Sequence, residues 1–251
     1  SIFSGKKNVK IEAYRKKLTV FFSDIKGFTE ITDRLEPEVL STLLNSYLNE
    51  MSKIALKYGG TIDKFVGDAI LIFFGDPETK GDKEDAYSCV LMALEMQERM
   101  HHLKNLWEGQ GITNPLEIRI GINTGYCNVG NFGSENRLDY TIIGGEVNLA
   151  SRLESNAMTG QILISQETYA LIKKHIVCEK KDEIKVKGIA HKIQTYQVVG
   201  SYKNIAQKRK ILNEKFDGFN LNIDLNISKK NKVITSLENT LKQLKKDEKS
   251  N

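Results

Sequence analysis

Cysteine is scarce in this chain. Cys89, Cys127 and Cys178 are far apart and odd in number. Without a CxxC pair they suggest neither a disulfide framework nor a zinc site. Such usage points to a reducing, cytoplasmic setting. Histidine is sparse too, and His101, His102, His175 and His191 fall in no HExxH or similar ligand spacing. No run of eighteen apolar residues reads as a membrane-spanning helix. Ser1 to Asn8 contain no apolar signal core. The familiar phosphate signatures are missing as well. There is no GxxxxGK[ST] and no GxGxxG after a strand, which removes support from P-loop, kinase and Rossmann readings. No GxSxG or other Ser-His-Asp arrangement is present.

What remains is an ordinary globular composition. Of 251 residues, 40% are hydrophobic and 27% are charged, enough for a real core. The 37 basic and 32 acidic residues leave a net charge of +5. Much of that excess comes from lysines between Lys229 and Lys249. It reads as a solvated helix face, and no nucleic-acid partner is expected. The chain opens without an initiator Met. Residues 1–16 are expected to be a linker from an upstream sensor region. That would leave the parent protein free to be membrane-attached.

The periodicities then alternate between two kinds. Leu18 to Phe22 is a short β-prone run that stops at Ser23-Asp24. A helix follows, with Pro37 suited to its first turn and Val39, Leu40, Leu43, Leu44, Tyr47, Leu48 and Met51 at helical spacing. Gly59-Gly60 ends it. Thr61 to Val66 and Ala69 to Phe74 flank Gly67-Asp68 as a hairpin. Asp82 to about Leu106 is a second helix, and Leu116 to Asn123 another strand. This order is the ferredoxin-like βαββαβ arrangement of an α+β fold, expected here with its helices on one face of the sheet. Further on, Cys127 to Asn131 and Leu138 to Ile143 read as separate strands. Val147 to Asn156 reads as a helix, Ile162 to Ile164 as a strand, and Gln166 to Lys173 as a helix. Ile184 to Val186 and Thr195 to Val199 are the late strands. After a linker over Tyr202 to Lys210, residues 201–251 carry a strand, Phe219 to Ile227, and a helix that Ser228 could cap. They are expected to form a small accessory appendage to a catalytic domain over 17–200.

Two aspartates directly follow strand signals. Asp24 closes the first strand and Asp68 sits in the hairpin turn. In a βαββ unit these strands can be neighbours, so both carboxylates could hold hard cations through oxygen. Two metals side by side clamp the attacking and leaving oxygens of an in-line phosphoryl displacement. Asn148 and Arg152, four apart, share one helix face and suit a phosphate or developing oxyanion. Lys187 is a further possible phosphate contact. Each residue alone has a blander explanation, as a turn former, a helix start or a surface ion pair.

Together these segments resemble the class III nucleotidyl cyclases. The resemblance is carried by Phe22-Ser23-Asp24-Ile25-Lys26-Gly27-Phe28-Thr29 and Asp63-Lys64-Phe65-Val66-Gly67-Asp68-Ala69. Asp139 to Glu154, running through Gly144-Gly145-Glu146-Val147-Asn148, extends it, as does Val186-Lys187-Gly188. It covers about Lys17 to Val199, with order and spacing in register.

The resemblance implies an adenylate cyclase that converts ATP to cyclic AMP and pyrophosphate with two Mg2+, which Mn2+ could replace. Asp24 and Asp68, helped by the backbone carbonyl of Ile25, would hold the metals. Lys64 and Thr141 would read adenine, since its N1 accepts and its exocyclic amine donates. Relatives that use GTP usually carry Glu and a small residue at those two positions. Asn148 would orient the ribose, Arg152 would stabilise the pentavalent α-phosphate, and Lys187 would bind the terminal phosphates. Tyr126 stands where some relatives carry Arg. In this family the metal aspartates come from one subunit and the other groups from its partner, so a homodimer with two composite sites is implied. The rivals are a guanylate cyclase, a nucleotide-binding module without turnover, and a diguanylate cyclase, whose GGDEF sequence is missing.

Overall fold

In the computed structural model, the described residues are 13–109, 112, 116–134, 137–186, 192–202, 211–224 and 230–247. The chain divides into two compact units, Ser1–Gly200 and Ser201–Asn251. The first is built on a sheet in the order β2-β3-β1-β4-β6-β8-β7, with β5 paired to β4. Its central strands are β1 (Ala13–Ile25) and β4 (Ile118–Ser134), antiparallel to one another along thirteen residue pairs. The hairpin β2 (Thr61–Val66) and β3 (Ala69–Phe74) adds to the free side of β1. β5 (Arg137–Ile143) turns back along the far end of β4, and β6 (Ile162–Ser165) lies parallel to β4 nearer its start. β7 (Ile176–Lys180) and β8 (Thr195–Ser201) complete the sheet.

Side chains of β1 alternate between two cores, as the pleat requires. Phe21 and Ile25 meet the helices α2 (Pro37–Tyr58) and α3 (Asp82–Gly109) through Leu43, Tyr47, Met51, Met92 and Met96. Pro37 opens α2, and Gly59 closes it in a left-handed conformation at φ 81° that suits glycine. Before α2 comes the short helix α1 (Phe28–Thr32). Leu18 and Val20 face the other way, into Leu71, Phe73, Cys127, Val129, Ile142 and Ala150. Ile142 belongs to β5 and Ala150 to α4 (Gly145–Asn156).

The expectation of helices on one face is therefore corrected. α2 and α3 cover one face, while β5 and α4 cover the other. α4 reaches the sheet because Gly121 leaves β4 bare there. A Cβ at that position would run into the backbone of Ala150 and Glu154. Gly125 similarly leaves room for the Glu146 carboxylate, which accepts a hydrogen bond from Asn123 Nδ2 at 2.6 Å. The two strands expected over Leu116 to Asn123 and Cys127 to Asn131 are one, and Gly125 lies between them. Here it is a close-approach glycine within one continuous β4.

Other differences are smaller. The expected strand Ile184 to Val186 reduces to a single bridge between Ile184 and Ile193. β7 was not anticipated. α5 (Gln166–Ile172) is capped by the Ser165 hydroxyl, which accepts from the Thr168 N–H. In the second unit the expected strand is one arm of a hairpin, β9 (Ile211–Phe216) with β10 (Phe219–Asp224), and α6 (Lys230–Asp247) follows. Leu225, Ile227 and Ser228 lie outside the described residues, as does nearly all of the expected linker. Among the described residues no helix is long and apolar enough to cross a membrane.

Candidate active site

Asp24 sits near the end of β1 and Asp68 in the turn between β2 and β3. Because β3 pairs beside β1, the topology brings them together. Asp68 Oδ2 accepts the backbone N–H of Ile25 at 3.0 Å, which holds its carboxylate beside that of Asp24. Partial burial, then the adjacent Asp24, pushes the Asp68 carboxyl up to about 7. Tyr47 lies beneath them, fully buried. Its desolvation raises the phenol well above its ordinary range, and the charges of Asp68 and Asp24 add to that.

This pair fits hard divalent cations. Two like charges held side by side, one of them reluctant to ionise, are what a cation relieves. The donors are oxygens, as Mg2+ prefers. No group of three His, Cys, Asp or Glu side chains that could hold a metal ion gathers among the described residues. Substrate phosphates and water would have to complete the coordination, which is the usual habit of Mg2+.

Asp24 has a second neighbour that sequence reading missed. Arg119 Nη2 of β4 lies 3.4 Å from Asp24 Oδ2, and its Nε lies 2.5 Å from Oε1 of buried Glu154 on α4. Glu154 is driven up by desolvation and held back by Arg119. One guanidinium thus ties the Asp24 carboxylate to α4. The link depends on Gly121, which lets the helix sit on the strand.

Asn148 and Arg152 occupy the opposite side of the same helix. At 100° per residue, Arg152 lies about 200° around from Glu154. Both Asn148 and Arg152 are exposed. They share one side of α4, as their spacing predicts, and it is not the side on which Glu154 meets Arg119.

Lys64 and Thr141 are brought together although they belong to β2 and β5. The link is Asp63, which sequence reading quoted in its motif without giving it a role. Its Oδ2 accepts the Thr141 hydroxyl at 2.7 Å and the Ile142 N–H at 3.3 Å. Its Oδ1 lies 3.5 Å from Lys64 Nζ. A bulge between Ile62 and Lys64 places Asp63 as an extra residue in β2, and bulges re-aim side chains in this way. The Tyr140 hydroxyl, one residue from Thr141, donates to Asp76 and pins β5 a second time. Tyr126 is exposed, with the Arg15 guanidinium 4.8 Å above its ring centre. Lys187 lies outside the described residues.

Comparison with known proteins agrees with this architecture. The adenylate and guanylate cyclase catalytic-domain family matches residues 9–200. The chain belongs to this family. It is similar to the crystal structure of the adenylyl cyclase CyaB from P. aeruginosa, at 64% identity and a TM-score of 0.75. That match covers 76% of this chain and 98% of that one. It is also similar to the guanylyl cyclase Cya2, at 37% identity and a TM-score of 0.72, over 75% and 94% of the two chains. Among curated proteins, the terminal-differentiation-specific adenylate cyclase of Dictyostelium discoideum is 35% identical over 202 residues. These are 78% of this chain and 9% of that protein. The chain likewise spans less than two thirds of the next curated relatives, 28% and 39% of their lengths. Cyclases named for either nucleotide share the fold, so choosing between adenine and guanine rests on the residues that face the base.

Proposed function

We propose that this chain is an adenylate cyclase catalytic domain, converting ATP to 3′,5′-cyclic AMP and pyrophosphate as a homodimer. The observation that carries the choice of ATP is the meeting of Lys64 and Thr141 at one carboxylate. A lysine donor faces adenine N1, and a threonine oxygen faces the 6-amino group. The 64% identity to an adenylyl cyclase supports the same choice.

In this reading Asp24 and Asp68, with the Ile25 carbonyl, hold two divalent cations, Mg2+ or Mn2+. Bound there, such cations favour loss of the 3′-hydroxyl proton and neutralise the triphosphate. Asn148 orients the ribose, so that the 3′-oxygen lies in line with the α-phosphorus. Attack forms the new ester bond as the bond to pyrophosphate breaks. Arg152 meets the charge that builds on the α-phosphoryl oxygens, a contribution concentrated in the transition state. Lys187 is assigned to the terminal phosphates.

The homodimer is supported by the two sides of α4. Glu154 turns toward Asp24 through Arg119, while Asn148 and Arg152 turn outward, as groups meant for the partner's nucleotide would. Exposed apolar side chains at Phe65, Val66, Tyr126 and Ile143 fit a covered interface. A cytoplasmic location, where ATP is supplied and the three free cysteines stay reduced, and control by a linked sensor belong to the same proposal.

The test is product formation from ATP and, separately, GTP, with Mg2+ and with Mn2+, alongside Asp68→Ala. Cyclic AMP that vanishes in the variant supports the assignment. Cyclic GMP from GTP in its place overturns the adenine reading, and tight ATP binding without product under either metal favours a binding module.

A further inference from the structure

Asp63 makes no hydrogen bond to Asp24 or Asp68, and in the assignment above it serves only as the meeting point of Lys64 and Thr141. Its side chain is nonetheless only 2% exposed, beside a Lys64 side chain that is 45% exposed. A buried carboxylate needs donors around it, and Asp63 has three: the Thr141 hydroxyl, the Ile142 N–H and, at longer range, the Lys64 ammonium. We propose that Asp63 is a positioning residue that fixes the hydrogen-bond polarity of Thr141 and thereby sets the preference for adenine over guanine. The inference rests on Lys64 and Thr141 being the base readers.

The argument is one of protons. A threonine hydroxyl has a single proton and two lone pairs, and when free it rotates to serve as donor or acceptor. An ionised carboxylate only accepts. The Thr141 proton, 2.7 Å bond and all, is therefore committed to Asp63 Oδ2. What Thr141 still offers a base is acceptor only. Lys64 offers donors only. One acceptor beside one donor matches the 6-amino group and N1 of adenine. Guanine presents a 6-oxo acceptor and an N1–H donor, so it meets an acceptor with an acceptor and a donor with a donor. The neighbouring Ile142 N–H reinforces the arrangement, because it needs an acceptor at that same Oδ2. Without Asp63 the Thr141 hydroxyl is free to turn and donate to a 6-oxo group, and half of the discrimination is lost.

The experiment measures kcat/KM for ATP and for GTP in Asp63→Ala, Asp63→Asn, Thr141→Val and the Asp63→Ala/Thr141→Val pair. Asp63→Ser stands in where the alanine variant does not fold. Asp63→Ala is expected to lower the ATP-to-GTP ratio by about tenfold or more, because a lost polar match is what such sites discriminate by. Asp63→Asn can still turn its amide oxygen to Ile142 and Thr141, and is expected to keep most of the ratio. The double variant should be no less selective than Thr141→Val alone, since Asp63 acts through that hydroxyl. If Thr141→Val shifts the ratio and Asp63→Ala does not, the Asp63 proposal is overturned while the base readers stand. If Asp63→Ala lowers both nucleotides equally along with the melting temperature, Asp63 only holds β2 to β5 and the proposal is overturned. If Thr141→Val leaves the ratio unchanged, the base-reading assignment fails first and carries the proposal with it.

Discussion

The two sides of α4 treat charge in opposite ways. On the inner side Glu154 is buried, paired with Arg119 and linked through it to Asp24. On the outer side, Asn148 and Arg152 stand in solvent. Anions that must sit close together in one chain need local anchors, such as the Ile25 N–H that holds Asp68. A cation waiting for a substrate carried by another subunit is better left without a competing partner. In the proposed dimer the inner side thus serves stability and the outer side turnover.

Substitutions on each side can break that contrast. The largest effect is expected at the proposed metal pair, where Asp68→Ala should leave less than about one-thousandth of the activity, because such groups work as a unit. Arg152→Ala should lower kcat by about a hundred- to a thousandfold with little change in KM, since the role proposed for it lies in the transition state. A steady-state assay reads both, and a full-speed Arg152→Ala enzyme would remove that residue from the site. Mixing the two inactive variants sharpens the comparison further. If each site takes groups from both subunits, half the dimers are mixed and each has one intact site, so about a quarter of the parent activity returns. No recovery on mixing would put each site within one subunit.

Stability should divide the other way. Glu154→Ala leaves Arg119 without its buried partner and is expected to cost about 2 kcal/mol, read as a lowered melting temperature. Arg152→Ala, two residues earlier, removes an exposed side chain and should change stability by no more than about 0.5 kcal/mol. Equal losses for the two variants would erase the distinction between the faces.

The helices and the juxtaposition of Asp24 with Asp68 were legible because their signals are local. Helical spacing, Pro37 and Gly59 delimit α2, and Asp24 and Asp68 each follow a β-prone run. Asp63 was not legible in the same way. Its role requires a bulge in β2 and a strand 78 residues later folded across the sheet, and neither leaves a periodicity. Arg119 escaped notice for a related reason. Its partners lie 95 residues before it, at Asp24, and on α4. The strands expected over Leu116 to Asn123 and Cys127 to Asn131 are one continuous β4, in which Gly125 yields space to Glu146. The short strand β7 falls between Lys173-Lys174 and Lys180-Lys181, which mask its pattern. Lys187, clear enough in its motif, has no described structure to compare.

Gly121 has a mechanical meaning as well. With no side chain between them, α4 and β4 meet backbone to backbone, and the Arg119–Glu154 pair fastens them beside that contact. Such a joint has no soft layer in which to slip. A shift of the sheet would carry α4 along with it, so in the proposed dimer the reach of Arg152 would follow the attitude of the whole subunit more than any local give in the helix.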